Sequence, residues 1–354
     1  MKKIKLLISA TAFLAPIAAF SQSSVTLYGV VDNGFIWENG GARGSVSRLG
    51  SGDYWANRFG VKGVEDLGGG LSAIFNLESG FDLNNGQTAQ SNSLFGRTSY
   101  VGLKGDFGTI VAGRFFTPYF VMLFTIADPF STGLAGNAGN LMATSGFRMN
   151  NSVKYTTPTI RGLSGEAAYS FGGVAGDFTA SSAIGAKLTY SNGPLNVGIA
   201  YHDRNNNSAT VQGQAHARNT LFAANYDFGL VKPFLAYGID KGPNSSSLAT
   251  PNPYNSAVAP VASTNSTSLL VGLSIPIGQS WILASYIHKD DKTSFNQDAD
   301  QWAIGYTYLL SKRTQLYTSY AYIKNRHGAA YTVGNSSSAG SGNQAFNLGL
   351  VVKF

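Results

Sequence analysis

Apolar and polar side chains alternate with a period of two residues over most of this chain, and that pattern limits the possible folds more than any other feature. The C-terminus shows it most clearly: Phe346, Leu348, Leu350, Val352 and Phe354 all fall on one face. Strict alternation predicts β-strands with one apolar and one polar face. We therefore expect an all-β protein in which the apolar face of each strand contacts either a protein core or lipid, and the polar face contacts water.

Sixteen segments show this alternation, and their even number suits a closed antiparallel barrel. The segments lie near residues 24–36, 55–66, 70–82, 95–104, 108–116, 149–157, 163–173, 182–191, 195–203, 217–228, 230–240, 266–275, 280–290, 299–310, 313–324 and 343–354. The short connections between them, such as 66–69 and 192–194, are rich in the Gly, Asn and Asp residues that tight turns require.

The long connections alternate with the short ones and are rich in Gly, Asn and Ser. They are residues 37–54, 83–94, 117–148, 204–216, 241–265 and 325–342. Short turns at one end and long loops at the other are typical of a barrel in an outer membrane. In such a barrel the apolar strand faces point to lipid and the polar faces line water.

The composition agrees with a membrane barrel. Charged residues make up only 12% of the chain, whereas about 25% is ordinary for soluble domains. No segment after the N-terminal region is long and apolar enough for a transmembrane helix, and a closed barrel is the other structure that satisfies every backbone group in lipid. The chain has no cysteine, so its stability does not depend on disulfides.

The N-terminus has the pattern of a secretory signal peptide. Lysines precede an apolar run from Leu6 to Phe20, and Ala19-Phe20-Ser21 resembles a cleavage site. We expect residues 1–21 to be removed, which leaves residues 22–354 as one barrel domain. The mature chain then has 22 Lys+Arg against 18 Asp+Glu, a balance of +4. This modest charge does not indicate a nucleic-acid partner.

Aromatic side chains gather at the ends of the predicted strands, where a membrane barrel places its interfacial girdles. The candidates are Tyr28, Tyr100, Tyr169, Phe171, Tyr190, Tyr201, Tyr226, Phe228, Tyr306, Tyr308 and Tyr320.

Several stretches, taken in order, resemble the trimeric sixteen-stranded general porins of Gram-negative bacteria, especially those of β-proteobacteria. They are Ser24–Gly29 (SVTLYG), Arg58–Gly70 (RFGVKGVEDLGGG), Phe95–Arg97 with Tyr100–Leu103, Asn150–Tyr155 (NSVKY after Asn150) and the terminal Phe354. The resemblance implies a sixteen-stranded antiparallel barrel with a water-filled channel for small hydrophilic solutes in each subunit of a homotrimer. It also implies that residues 117–148 form a third loop that folds into the barrel and narrows it.

The same resemblance implies the partners of the protein. These are its own copies, outer-membrane lipid, lipopolysaccharide and the barrel-assembly machinery, for which Phe354 would serve as the assembly signal. Small solutes and anions would pass through the channel. We expect no cofactor and no nucleic-acid partner.

Basic residues on the predicted inner strand faces are candidates for the pore constriction. Alternation puts Arg58 and Lys62 on the inner face of their strand, and Arg148 and Lys154 on the inner face of theirs. The parity of Arg97 permits either face. The resemblance places Arg97 with Arg58 and Arg148, and the cost of an arginine in lipid, about 2–4 kcal/mol at mid-depth, also favours the lumen.

The acidic side of the constriction is sparse in this sequence. Asp128 is the only acidic residue between Arg114 and Glu166, and Glu78 lies on an inner strand face. Arg114 is a further lumen candidate. A basic cluster with few acids would give the passage a positive potential that favours anions. The alternative is that the arginines form structural ion pairs with Glu65, Glu78 or Asp128.

Signals of catalysis or metal binding are weak, so we expect a channel and not an enzyme. No Gly-x-Ser-x-Gly elbow or phosphate-binding loop is present. The histidines lack metal-ligand spacing; they are His202, His216, His288 and His327. Two other functions stay open: a substrate-specific channel for sugars or phosphate, and a barrel that acts as an adhesin or carries a catalytic site at its rim.

Overall fold

The computed structural model of the protein describes residues 23–142, 145–247 and 252–354. The expected signal peptide, residues 1–21, lies outside these ranges. Within them, no helix is long and apolar enough to cross a membrane.

Strands make up most of the described chain, and they alternate with turns and loops along its whole length. The strands are β1 (Ser24–Asn39), β2 (Val46–Ser51), β3 (Arg58–Gly68), β4 (Leu71–Gly80), β5 (Thr98–Gly105), β6 (Gly108–Phe116), β7 (Arg148–Thr156), β8 (Leu163–Ser170), β9 (Ala183–Asn192), β10 (Leu195–Arg204), β11 (Ala217–Tyr226), β12 (Lys232–Lys241), β13 (Asn265–Ile277), β14 (Ser280–Asp291), β15 (Ala299–Leu309), β16 (Thr314–Asn325) and β17 (Gln344–Lys353). Short helical segments lie in the loops: α1 (Ala89–Asn92), α2 (Pro118–Met122), a π-helical turn (Leu123–Ala127) and a 3₁₀ turn (Ala138–Asn140).

The strands form one closed antiparallel barrel. Each strand from β3 onward pairs with the next, and β17 returns to pair with β1 from Val30↔Lys353 to Asn39↔Gln344. On its other edge, β1 pairs first with β3 and then with β2. Because β2 and β3 together fill one position of the wall, the seventeen strands make a sixteen-stranded barrel. The predicted fold class and strand number are confirmed, although β2 lies inside the segment predicted as a loop, 37–54.

The outer surface of the barrel is apolar, as the period of two requires. On β11, Phe222 is 45% exposed whereas its neighbour Leu221 is fully buried. The same alternation exposes Leu235 on β12 and Ile304 on β15. Apolar side chains that point away from the interior on every strand need lipid around them, because water would make so large an apolar surface unfavourable.

The long connection between β6 and β7, residues 117–147, folds into the barrel; we call it loop 3. Its helical segments pack against the inner faces of β9 to β12. Met122, Leu123 and Phe130 of loop 3 are fully buried, as are Leu221 and Leu270 of the wall. The barrel therefore contains a hydrophobic core of its own. Here the inner strand faces are apolar and do not line water, which differs from the simple alternation of polar inside and apolar outside.

Glycines on the inner strand faces leave the room that loop 3 needs. A Cβ atom added to Gly272 of β13 would lie 2.8 Å from Cγ of Pro129, and one added to Gly305 of β15 would lie 2.8 Å from Cε1 of Phe130. Contacts this short do not occur between real side chains, so a larger residue at either position would displace the loop.

Two of the aromatic residues predicted for the interfacial girdles face the lumen instead. The Tyr28 hydroxyl donates to Asn76 and Glu78, both of which lie on the inner face of β4. Tyr100 has the opposite parity to the exposed Val101 of the same strand. A tyrosine hydroxyl needs a hydrogen-bond partner, and polar groups inside the barrel can supply one as well as the membrane interface can.

Candidate functional site

Three arginines and one glutamate line a common cavity inside the barrel. Arg58 begins β3, Arg97 immediately precedes β5, and Arg148 begins β7, while Glu78 lies near the end of β4. Antiparallel pairing brings these strand ends to one level. The cavity has a volume of about 720 Å³ and is also lined by loop 3 and by residues of the connection between β16 and β17. We call the four residues the basic cluster.

Glu78 is the centre of the basic cluster. Its Oε1 accepts from Nε of Arg97 at 2.7 Å, and its Oε2 lies 3.6 Å from Nε of Arg58. Tyr28 also donates to Oε2, at 3.0 Å. One carboxylate therefore faces two guanidinium groups, and the charges around it do not cancel.

Arg148 is held by contacts that leave its charge uncompensated. Its Nε donates to the carbonyl oxygen of Arg97 at 3.0 Å, and its guanidinium lies 4.3 Å from the ring centroid of Phe116. Across the part of the chain that the structure describes, no carboxylate forms an ion pair with it. The predicted grouping of Arg58, Arg97 and Arg148 is thus present as a geometric cluster.

The face taken by Arg97, which alternation left open, depends on where β5 begins. Arg97 lies in a bend just before Thr98, the first residue of the strand. Strand parity does not apply there, and the side chain turns inward to Glu78 until only 7% of the residue is exposed. The inward position follows the charge of Glu78 on the neighbouring strand.

Arg114 lies close to the basic cluster but does not line the cavity. Its Nε donates to the carbonyl oxygen of Gly96 at 2.7 Å, and its Nη1 hydrogen-bonds to Asn150. It thus adds a positive charge to the same wall. Its partners are neutral groups, so this charge also persists.

Lys62 and Lys154 lie on inner strand faces, as predicted, but outside the cavity. Lys62 is over the ring of Tyr28, with Nζ 5.4 Å from the centroid. Lys154 lies 3.8 Å from Glu166, which also binds Lys187 at 3.0 Å. Lys154 is six residues beyond Arg148 along β7, toward the short turn, so these lysines line a different level of the barrel.

Asp128 does not lie opposite the arginines, which corrects its expected place on the acidic side of the constriction. The residue is 2% exposed, and its carboxylate accepts the backbone N–H groups of Phe130, Thr132 and Ala138 at 2.8–2.9 Å. Burial raises the pKa of Asp128 to about 6, against the effect of these hydrogen bonds. The sequence signal failed here because a loop carboxylate can bind its own backbone as readily as face a channel.

Among the described residues, uncharged polar side chains from two loops form another part of the cavity lining. Asn137 and Asn140 of loop 3 lie there, together with Asn335 and Ser336 from the connection between β16 and β17. Asn140 is fixed by Gln301 of β15, whose Oε1 accepts from its Nδ2 at 2.8 Å. Sequence reasoning missed this face, since no local pattern shows which loop residues meet inside a barrel.

A row of phenylalanine side chains, from the end of β6 into loop 3, is a second feature that sequence reasoning missed. Phe116, Phe120 and Phe124 follow one another at intervals of four residues and line the cavity beside the arginines. That spacing was readable as one face of a helix.

Among the described residues, no group of three His, Asp or Glu side chains is arranged to hold a metal ion.

Comparison with known proteins identifies the type of barrel. The family model described as Gram-negative porin matches residues 7–346. An outer membrane porin protein of Bordetella pertussis is 34% identical over 92% of this chain and 95% of its own length. Outer membrane porin protein 32 of Delftia acidovorans is 32% identical over 91% of this chain and 90% of its own.

A solved structure agrees with these relatives. The anion-selective porin from Comamonas acidovorans superimposes with a TM-score of 0.76 and is 29% identical, over 94% of this chain and all of that one. The family match and the closed barrel with its internal cavity lead to one conclusion: this chain belongs to the Gram-negative porin family, whose members form channels across the outer membrane.

Proposed function

We propose that this porin is a general diffusion channel that prefers anions over cations. The observation that carries the proposal is the charge balance of the cavity: among the described residues that line it are three arginines, Arg58, Arg97 and Arg148, and one carboxylate, Glu78, while Asp128 is turned away. In a narrow passage walled by protein and lipid, such a field acts on every passing ion. The name of the similar Comamonas porin, which is called anion-selective, supports the same preference.

Arginine is charged at any ordinary pH, so the positive field of the cavity is permanent. Salt screens it with a Debye length of about 10 Å at 0.1 M, and selectivity should therefore be strongest in dilute salt. Lys62, Arg114 and Lys154 would support the field from the surrounding wall, at a greater distance from the passage.

The experiment replaces Arg58, Arg97 and Arg148 together by Gln and measures the zero-current potential across a planar bilayer in a KCl gradient. We expect the potential to move toward cation preference, most strongly at low salt. Lys241→Gln is the control, because Lys241 ends β12 with its side chain exposed and bonded to Asn265. A triple variant that folds, conducts and retains the anion preference of the native protein would exclude the basic cluster as the selectivity element.

We also propose that residues 1–21 are a signal peptide, that the mature protein is a homotrimer, and that it acts as a channel without enzymatic activity. The residue pattern of the N-terminus and the family resemblance support these statements, as do relatives that are named porins. Lipopolysaccharide and the barrel-assembly machinery are the proposed partners in the membrane. Chemical cross-linking of the protein extracted in mild detergent tests the trimer: a single monomeric band would contradict it.

A further inference from the structure

The helical part of loop 3 is apolar on two faces, although only one of them packs against the barrel wall. The first face carries Tyr119, Met122, Leu123 and Ile126, all buried. This face is enough to dock the loop, since it reaches the core inside the barrel. A second apolar face on such a segment ordinarily becomes polar where it meets water.

The second face carries Phe120 and Phe124 and points into the cavity, where Phe116 at the end of β6 and Phe147 just before β7 adjoin it. The rings of Phe116 and Phe120 stack with centroids 5.2 Å apart, and Phe120 lies 5.6 Å from Phe124 and 4.9 Å from Phe147. All four rings line the cavity, and Phe147 is 47% exposed. An apolar surface kept in contact with water inside a channel is unfavourable until an apolar group of a solute covers it.

Positive charge adjoins this surface directly. The guanidinium of Arg148 is 4.3 Å from the ring centroid of Phe116, and that of Arg97 is 5.7 Å from it. Arg148 lines the cavity and has no carboxylate partner within the described residues, so its charge is not neutralised there by an ion pair. The cavity therefore has phenylalanine rings next to arginine side chains in its lining. Its volume of about 720 Å³ suits a small organic molecule.

We propose that this cavity is a transient binding site for organic monocarboxylate anions with an aromatic body. The solute ring packs on Phe120 and Phe124, and its carboxylate accepts charge-assisted hydrogen bonds from Arg148. The inference rests on the proposed anion preference and adds a class of solute to it. A hydrophilic anion of equal charge can bind the arginines but makes no favourable contact with the rings. An aromatic cation can pack on the rings but is repelled by the arginines.

The test measures KCl current through the intact protein in a planar bilayer while one organic ion is added. The probes are 3-phenylpropionate, gluconate as a hydrophilic anion, and phenethylammonium as an aromatic cation. We expect 3-phenylpropionate alone to reduce the current in a saturable way. Equal effects of gluconate or of phenethylammonium would overturn the proposal, because the site would then not recognise both the ring and the charge.

Variants locate the site. Phe124→Gln should raise the concentration of 3-phenylpropionate that halves the current by roughly 2- to 10-fold, the value of one aromatic contact. Phe124→Leu keeps an apolar side chain at this position and should disturb folding less than Phe124→Gln does. It should raise the half-blocking concentration by a smaller factor. Thr125→Gln is the matched control, because Thr125 is exposed on the same segment and does not line the cavity. An unchanged half-blocking concentration in both Phe124 variants would overturn the proposal.

The zero-current potential of the same native channel separates this inference from the proposed function. An anion-preferring channel that 3-phenylpropionate does not block defeats the binding site alone. A channel without anion preference defeats the proposed function, and the binding site with it.

Discussion

At the scale of single residues, the properties of the cavity depend on Glu78, the one carboxylate among the described residues that line it. It pairs with Arg97 at 2.7 Å, lies 3.6 Å from Arg58 and accepts from Tyr28. Glu78 is only 8% exposed, so water screens these interactions weakly. It therefore both holds the arginines in place and offsets part of the charge that they bring to the passage.

Replacing Glu78 by Gln should strengthen the preference for anions. The amide retains the size and an acceptor oxygen of the carboxylate but removes its charge, so the field of Arg58 and Arg97 is no longer offset. Loss of one partner of a buried ion pair costs about 3–5 kcal/mol, and we expect less folded protein as well. The zero-current potential of the folded fraction in a dilute KCl gradient is the measurement.

Glu166→Gln is the control for this substitution. Glu166 also lies on an inner strand face with two basic partners, Lys154 and Lys187, but outside the cavity. Its loss should shift the potential much less than the loss of Glu78. Equal shifts in the two variants would show that ion selectivity depends on the total charge of the lumen and not on the charges that line the cavity.

At the scale of elements, loop 3 is a folded part of the barrel interior. Asp128 binds three backbone N–H groups within the loop, and Gln301 of β15 donates to the carbonyl oxygen of Gly136 at 3.2 Å. Leu134 and Leu141 are fully buried. Deleting residues within 131–146 would therefore remove part of the internal core together with the obstruction, and a smaller change tests the position of the loop more cleanly.

Gly305→Ala is such a change. The new methyl group would lie 2.8 Å from Phe130, so the loop must shift or the strand must bend. Overpacking of this kind costs about 1–3 kcal/mol. We expect a lower free energy of unfolding and an altered single-channel conductance, because the loop borders the passage.

Gly165→Ala provides the comparison for Gly305→Ala. A methyl group at Gly165 of β8 would meet its nearest neighbour at 3.6 Å, an ordinary van der Waals contact. This variant should conduct like the native protein. If both variants keep the native conductance and stability, the close approach of Phe130 to the wall does not set the position of the loop.

At the scale of the whole molecule, the barrel closes where the last residue meets the first strand. The backbone groups of Phe354 and Gly29 exchange two hydrogen bonds of 3.1 Å. The ring of Phe354 covers the place where a side chain would stand at Gly29, since a Cβ added there would lie 2.3 Å from Cζ. Phe354 also remains 51% exposed on the outer surface. Its ring is therefore accessible to the proposed partner, the barrel-assembly machinery, before β17 pairs with β1.

We expect Phe354→Ala to lower the amount of folded protein in the membrane. The backbone hydrogen bonds at the closure survive this substitution, so the loss should appear during assembly more than in the stability of the finished barrel. The measurement is the yield of the heat-modifiable form in isolated outer membranes. Leu350→Ala removes another outward-facing side chain of β17 and should have a smaller effect; equal yields of the two variants would contradict a special role for Phe354.

The sequence by itself determined the wall of this protein. Lipid outside the barrel requires an apolar residue at every second position, so the sixteen strands are visible in the local pattern, as is the sorting of turns and loops. Arg58 and Arg148 could be placed on the inner face for the same reason. Each of these inferences uses only neighbours along the chain.

The tertiary structure alone decided what fills the barrel. Arg97 turns to Glu78 because the strand begins one residue later, and Asp128 turns to the backbone of its own loop. The pairing of β2 with β1 and the aromatic surface of Phe116 and Phe120 likewise arise where strand alternation ends. Loop 3 does not follow the alternation that lipid and water impose on the strands, so contacts between residues far apart in the chain set the path of the loop and the chemistry of the passage.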